Sequence, residues 1–173
     1  MFKTLVPIVL SVVVAGCAAM AGGGGATAVA RLEPTKGSQA SGQITFVQSG
    51  DSVRVTGSLQ GLKPDGEHAF HVHEKGDCSS GDGMSTGGHF NPLTRPHGAH
   101  GAGEHHAGDL PSVKADSYGK ATVSFISKTI SVGAGPTDVI GKGLIVHRDV
   151  DDFKTQPTGN AGPRIACAVI AKS

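Results

Sequence analysis

The chain has no tryptophan, one tyrosine (Tyr118) and six phenylalanines among 173 residues. It lacks any long stretch of helical periodicity, which excludes a helix bundle. It lacks an excess of charge of either sign. Lys and Arg number 15 and Asp and Glu 14, and setting aside Lys3 leaves 14 of each. With no basic stripe, nucleic acid is excluded as a partner class. Cysteine is scarce, at Cys17, Cys78 and Cys167 only. There are no internal repeats. What is abundant is glycine, 27 residues, beside short runs of Val, Ile, Ala and Thr. That composition predicts one all-β domain rich in turns, with enough length for its own core.

Residues 1–16 carry a single cation, Lys3, and then an apolar stretch from Leu5 to Ala15. The stretch is too short to remain in a bilayer as a helix and reads as a signal peptide. It ends Val14-Ala15-Gly16-Cys17, which resembles the bacterial lipobox, where cleavage precedes a cysteine that is then acylated. The reading is therefore export to the bacterial periplasm and membrane anchoring through lipidated Cys17. An ordinary signal cut near Ala18 to Ala21 is the alternative. Ala18 is not an aspartate, which by analogy with other lipoproteins favours the outer membrane. Residues 17–26 include four consecutive glycines and cannot build a core, so they form a flexible tether, and the domain is expected over 27–173.

From residue 27 the apolar pattern has period two. Ala28, Ala30 and Leu32 alternate with Val29 and Arg31, and Ile44 and Phe46 alternate with Thr45 and Val47. Ser49-Gly50-Asp51 reads as a hairpin turn. Further strands are expected near 53–56, 67–74, 112–115, 121–127, 143–148 and 164–171. These total about eight and predict a Greek-key flattened barrel or sandwich. The glycine-rich segment 75–110 is too long to be an idle connection. Within 69–73, Phe70 and Val72 share one face and His71 and His73 the other. If the apolar face takes the core, both imidazoles project outside the barrel. Leu144 and Val146 inward and His147 outward follow the same rule, so the long segments 75–110 and 149–163 must wall the site.

Nine histidines are many for this length, and all but His147 lie between His68 and His106. His71-Val72-His73 alone is weak, because surface histidine pairs are common. The loop adds His89, His97, His106 and Asp109, and a further strand adds His147. Six imidazoles and one carboxylate suffice for two adjacent metal sites.

The motifs at 69–74 (AFHVHE), 88–92 (GHFNP), 95–98 (RPHG), 106–110 (HAGDL), 144–152 (LIVHRDVDD) and 158–169 (TGNAGPRIACAV) resemble those of copper/zinc superoxide dismutases, in order and with compatible spacing. The resemblance implies an immunoglobulin-like barrel and disproportionation of superoxide to oxygen and hydrogen peroxide. It implies copper on His71, His73, His89 and His147. It implies zinc on His89, His97, His106 and Asp109, with His89 bridging the two. Four imidazoles suit Cu(II), and three with a carboxylate suit Zn(II). His105 competes with His106, but His106 has the family's spacing to Asp109. Asp151 would bridge a copper and a zinc histidine, Arg164 would draw superoxide into the channel, and Thr158 would narrow it. Cys78 and Cys167 would form the disulfide; a pair of free thiols is the alternative.

The segment before Thr158 lacks the acidic pair of eukaryotic members and leaves Lys154 as its only cation. His68, His100 and His105 have no family role and read as loop or strand-end residues or as accessory metal capture. A copper-carrying relative without activity and a zinc hydrolase are the rival readings. The first usually loses ligands or the arginine, which this chain keeps; the second needs an open zinc position. No interface patch decides between a monomer and a homodimer.

Overall fold

The computed structural model describes residues 25–173. The expected signal peptide, Cys17 and the tether as far as residue 24 lie outside them. The apolar alternation folds as nine strands: β1 Thr27–Pro34, β2 Ser41–Ser49, β3 Ser52–Gln60, β4 Glu67–His68, β5 Phe70–His73, β6 Val113–Lys114, β7 Ala121–Ser127, β8 Gly143–His147 and β9 Arg164–Lys172. One 3₁₀ turn, Met84–Thr86, is the only helical element among the described residues. Seven strands form one sheet in the order β5-β8-β9-β1-β2-β3-β7, and β4 pairs with β6.

β4 runs into β5 with only Ala69 between them, and β6 leads through a turn, with Gly119 N–H donating to Asp116 O, into β7. The β4–β6 pair therefore bridges the two edges of the large sheet and curls it into a barrel. Taking β4 and β5 as one interrupted strand recovers the expected eight. The interruption has a local cause: Ala69 turns to the end of β8, giving its N–H to Asp149 O and accepting from His147 N–H. The connections are Greek-key, because β3 leads away to β4 while its own neighbour is β7.

Period-two patterning sets the core. Ala28, Ala30 and Leu32 of β1 meet Ile44 and Phe46 of β2, Val53 and Val55 of β3, and Ala166, Ala168 and Ile170 of β9. Phe46 lies opposite Ala28 on one side and Val55 on the other, so a large ring is flanked by smaller side chains. At Gly57 of β3, facing Ile44, a Cβ would come within 2.0 Å of the Gln43 carbonyl oxygen. The β2–β3 turn is the hairpin expected at Ser49-Gly50-Asp51, and it has two residues between the paired Ser49 and Ser52, with Gly50 at φ 58°.

Phe70, Val72, Leu144 and Val146 belong to the core, and their strand neighbours His71, His73, Ile145 and His147 do not. Yet all of these are buried. The long segment 75–110 covers them, because it pairs with the free edge of β5. Phe90 N–H donates to Val72 O (2.8 Å), Val72 N–H to Gly108 O (2.9 Å) and Leu110 N–H to Phe70 O (3.3 Å). A disulfide joins Cys78 of that segment to Cys167 of β9, 89 residues apart.

Closing a loop of 89 residues restricts the unfolded chain, worth about 4–5 kcal/mol on the chain-entropy account. Reduction of the bond, or Cys78→Ser with Cys167→Ser, is expected to lower the urea midpoint accordingly. An unchanged midpoint with and without reductant would show that the bridge adds nothing.

Candidate metal centre

Two four-residue groups lie outside the barrel. His71, His73, His89 and His147 form one, and His89, His97, His106 and Asp109 the other. Within each, one ligand atom per residue lies within 4.8 Å of the rest, and every residue is buried. His89 belongs to both. β5 supplies His71 and His73 on its outer face. The loop delivers His89 and Asp109 to the β5 edge through isolated antiparallel bridges, His73 with His89 and His71 with Asp109. β8 supplies His147 at a register shift, where Val146 pairs with Ala166 but His147 with Arg164, which leaves one extra residue on β9. Such a bulge re-aims side chains locally, and His147 and Arg164 both line the same cleft.

Each ring's orientation follows from what one of its nitrogens does. His73 Nδ1 lies 2.9 Å from Gly87 O and His147 Nδ1 3.1 Å from Gly162 O. A carbonyl only accepts, so both rings carry the proton on Nδ1 and expose the Nε2 lone pair. Those two Nε2 atoms face each other at 3.3 Å, two acceptors with no proton between them. His71 Nε2 donates to Asp151 Oδ2 (2.7 Å), which leaves Nδ1 free. His97 Nε2 donates to the other Asp151 oxygen (2.9 Å). His89 Nδ1 lies 2.8 Å from Asp109 Oδ1, and His97 Nδ1 is 3.0 Å from the same oxygen. The latter contact is not aligned as a hydrogen bond, since His97 Nδ1 counts among the buried atoms with no partner.

Those orphaned atoms test whether metal ions fit. Among the described residues five buried side-chain polar atoms have no hydrogen-bond partner, and three are His71 Nδ1, His89 Nε2 and His97 Nδ1. A buried lone pair without a donor is costly. Here the orphaned ring nitrogens belong to the two convergent donor groups, as ligands to a cation do, so the residues fit two metal ions.

Burial sets the charge state. It pushes His147 down to about 3 and His89 to about 4, and holds His73 well below the usual imidazole value. Neighbouring rings add to the effect. His97 goes the other way: burial opposes its charge, but the two carboxylates against its ring, Asp109 beside Nδ1 and Asp151 hydrogen-bonded to Nε2, raise it to about 9. Asp109 and Asp151 stay ionised far below the usual carboxylate range; burial works against this, and their histidine partners outweigh it.

Beside the first group is a cleft of about 190 Å³ lined by His73, Met84, His147, Thr158, Ala161, Gly162, Pro163 and Arg164. Arg164 is the only residue of that lining with a fixed charge. Its Nη1 donates to Gly83 O (2.6 Å) and Thr86 Oγ1 (2.7 Å), and its Nη2 to Gly87 O (2.7 Å). All three acceptors are neutral, so the guanidinium is fixed without a direct ion pair, with Asp82 the nearby carboxylate that acts on its charge. A surface ion pair, the plain alternative for this arginine, is absent among the described residues.

The remaining histidines fall outside both groups. His105 Nδ1 donates to His106 O, and its Nε2 accepts from Gly101 N–H. His100 Nδ1 donates to Asp109 O. His68 Nδ1 donates to His147 O. Among the described residues none of the three belongs to a group of three or more possible metal ligands, and His68 Nε2 is buried without a partner. Lys154 is exposed and does not line the cleft. Sequence reasoning missed the carbonyls of Gly83, Gly87 and Gly162, which aim Arg164, His73 and His147. Backbone acceptors leave no mark in residue identity. It also missed Gln156, whose side chain meets the His97 backbone.

An all-β barrel with two four-donor groups sharing one imidazole defines a protein that holds two adjacent metal ions. Residues 40–170 match the family of copper/zinc superoxide dismutase. The protein named "Superoxide dismutase [Cu-Zn]" of Paramecium bursaria Chlorella virus 1 is 40% identical over 151 residues, covering 83% of this chain and 77% of that one. A solved structure titled "Crystal Structure Analysis of the clock protein EA4" superposes with a TM-score of 0.77 at 41% identity, covering 84% of this chain and 93% of that one. The chain belongs to the copper/zinc superoxide dismutase family. It is a superoxide dismutase whose cofactors are copper and zinc.

Without metals, pH should act on this site from two sides. Unfolded rings take up protons below about 6.5, whereas folded His89 and His147 stay neutral to about 4 and about 3. Stability is therefore lost as pH falls below about 6.5, on the order of 1 kcal/mol per unit for each ring. His97 contributes stability below about 6.5 that is lost as pH rises through about 9. Urea unfolding of the demetallated protein is expected to show greatest stability near pH 6.5, and a flat profile from pH 5 to 9 would contradict the charge states given above.

Proposed function

We propose that His71, His73, His89 and His147 hold copper, that His89, His97, His106 and Asp109 hold zinc, and that the enzyme works at the bacterial cell envelope on a lipid tether. The observation that carries the metal assignment is the sharing of His89 between two convergent donor groups. When bound, copper supplies the one-electron couple for superoxide dismutation, and zinc supplies a redox-inert centre that fixes the second nitrogen of His89.

The chain's own residues do the rest. Superoxide is a small anion, and Arg164 meets it at the cleft as a cation held in no direct ion pair. A fixed charge in a confined cleft raises the encounter rate, and salt weakens the effect. Thr158, in the same lining, narrows the entrance. Two superoxide anions and two protons give oxygen and hydrogen peroxide. His89 Nε2 is the atom placed to hold one of those protons, because Nδ1 faces the zinc group. Asp151 joins His71 to His97, and so orients one ligand of each metal with a single carboxylate. The disulfide ties Cys78, five residues before the turn that cradles Arg164, to β9, the strand from which Arg164 springs.

The location rests on the sequence of residues 1–26: a signal peptide over 1–16, acylated Cys17 and a glycine-rich tether, with the enzyme domain over 27–173. Acylation through such a motif supplies more than one chain, which stable anchoring needs. The absence of aspartate after Cys17 favours the outer membrane.

Two variants test the site together. His147→Ala is expected to lose copper and keep zinc; equal loss of both sinks the ligand assignment. Arg164→Ala is expected to keep both metals while the rate and its dependence on ionic strength fall, and an unchanged rate at low salt removes the steering role. For the anchor, Cys17→Ser is expected to release the protein from the membrane fraction, and continued membrane partition refutes lipidation at that residue.

A further inference from the structure

His97 is held by more than its ring. We propose that Gln156 is a positioning residue for the zinc centre, its side-chain amide clamping the backbone of His97 so that the ring is presented at a fixed angle. The proposal rests on the reading of His97 as a zinc ligand.

His97 N–H donates to Gln156 Oε1 at 2.8 Å, and Gln156 Nε2 donates to His97 O at 2.9 Å. The pattern is reciprocal, like the paired bonds of an antiparallel bridge. It also fixes which way the amide points, since an N–H needs the oxygen and a carbonyl needs the NH₂. No backbone group among the described residues pairs with the N–H or C=O of His97. Buried backbone groups need partners, and for this residue one side chain, 59 positions away, provides both.

The segment that carries Gln156 is braced by itself rather than by a strand. Asp152 Oδ1 accepts from Lys154 N–H (2.9 Å) and Thr155 N–H (2.8 Å), and Asp152 Oδ2 from Thr155 Oγ1 (2.6 Å). Gly159 N–H donates to Thr155 O, and Asp152 N–H to Gly159 O. The closed turn has Asp151 at one end, bonded to His97 Nε2, and Gln156 near the other, bonded to the His97 backbone. Gly159 seals the first of these contacts. Its φ is +67°, and a Cβ there would lie 1.9 Å from Asp151 Oδ1 and 2.5 Å from His97 Nε2. With only Asp151 in place the ring could pivot about its hydrogen bond; with the backbone clamped as well, Nδ1 is aimed.

Gln156 is exposed, so replacing it removes no core contact. Gln156→Met keeps the length of the side chain and removes both bonds to His97, together with the longer one from Nε2 to Lys154 O (3.3 Å). Zinc release from the fully loaded enzyme to a chromophoric chelator is expected to accelerate about tenfold or more, the usual effect of losing a partner that orients a ligand. Copper release should not change, and the His97 amide should exchange with deuterium faster than in the parent. Gln156→Glu retains the acceptor for His97 N–H but not the donor, and should lie between. Zinc release equal to the parent's, or zinc and copper accelerated alike, overturns the proposal. His97→Ala separates it from the reading beneath it. If that variant keeps its zinc, the ligand assignment fails. If it loses zinc while Gln156→Met does not, only the role of Gln156 fails.

Discussion

Burying imidazoles with lone pairs pointing inward is possible only if each ring has its other nitrogen committed to a partner that cannot give a proton back. Gly87 and Gly162 carbonyls do this for His73 and His147, and the Asp151 carboxylate does it for His71. Remove those acceptors and the rings could flip tautomer or rotate, and the convergent donor set would dissolve into a polar cluster too costly to bury. The metal site is thus an arrangement of acceptors before it is an arrangement of ligands. Burial makes the same point through charge, since it keeps His147 and His89 neutral well into the acid range. Only His97, pressed between two carboxylates, is held in its charged form up to about pH 9.

The acceptors are in place because the loops are built like extensions of the sheet. β5 would be an open edge, and the segment around Phe90, Gly108 and Leu110 pairs with it. Glycine is required where that pairing is closest: at Gly108 a Cβ would lie 2.3 Å from Val72 O. The same economy recurs at Gly87, whose carbonyl accepts from both His73 and Arg164. A ring of the first donor group and the cleft cation therefore share one backbone oxygen. Any movement of the 83–87 turn would disturb both, and the disulfide to β9 restrains it.

The 149–163 segment is the counterpart on the other wall. It carries Asp151, Gln156 and Thr158 in eight residues, touching respectively two rings, the His97 backbone and the cleft beside Arg164. Its internal bonds to Asp152 let it hold a shape without strand pairing. The two metal groups and the channel are therefore not independent modules, because one short turn contacts all three.

The amino-acid order alone determined the alternation that puts Phe70 and Val72 inside and His71 and His73 outside, since a strand's side chains must switch faces at every step. It also determined the hairpin at Gly50 and the all-β class, through periodicity and turn chemistry. The metal-binding character was legible too, because histidines gathered in a glycine-rich loop serve no purpose in a core. Tertiary structure decided what depends on backbone oxygens and on distant segments: the break at Ala69, the carbonyls that choose each tautomer, the neutral cradle that leaves Arg164 its charge, and the grip of Gln156 on His97. A carbonyl is the same in every residue. Its effect comes from where the chain brings it, and only the closed barrel with its loops zipped to the β5 edge fixes that.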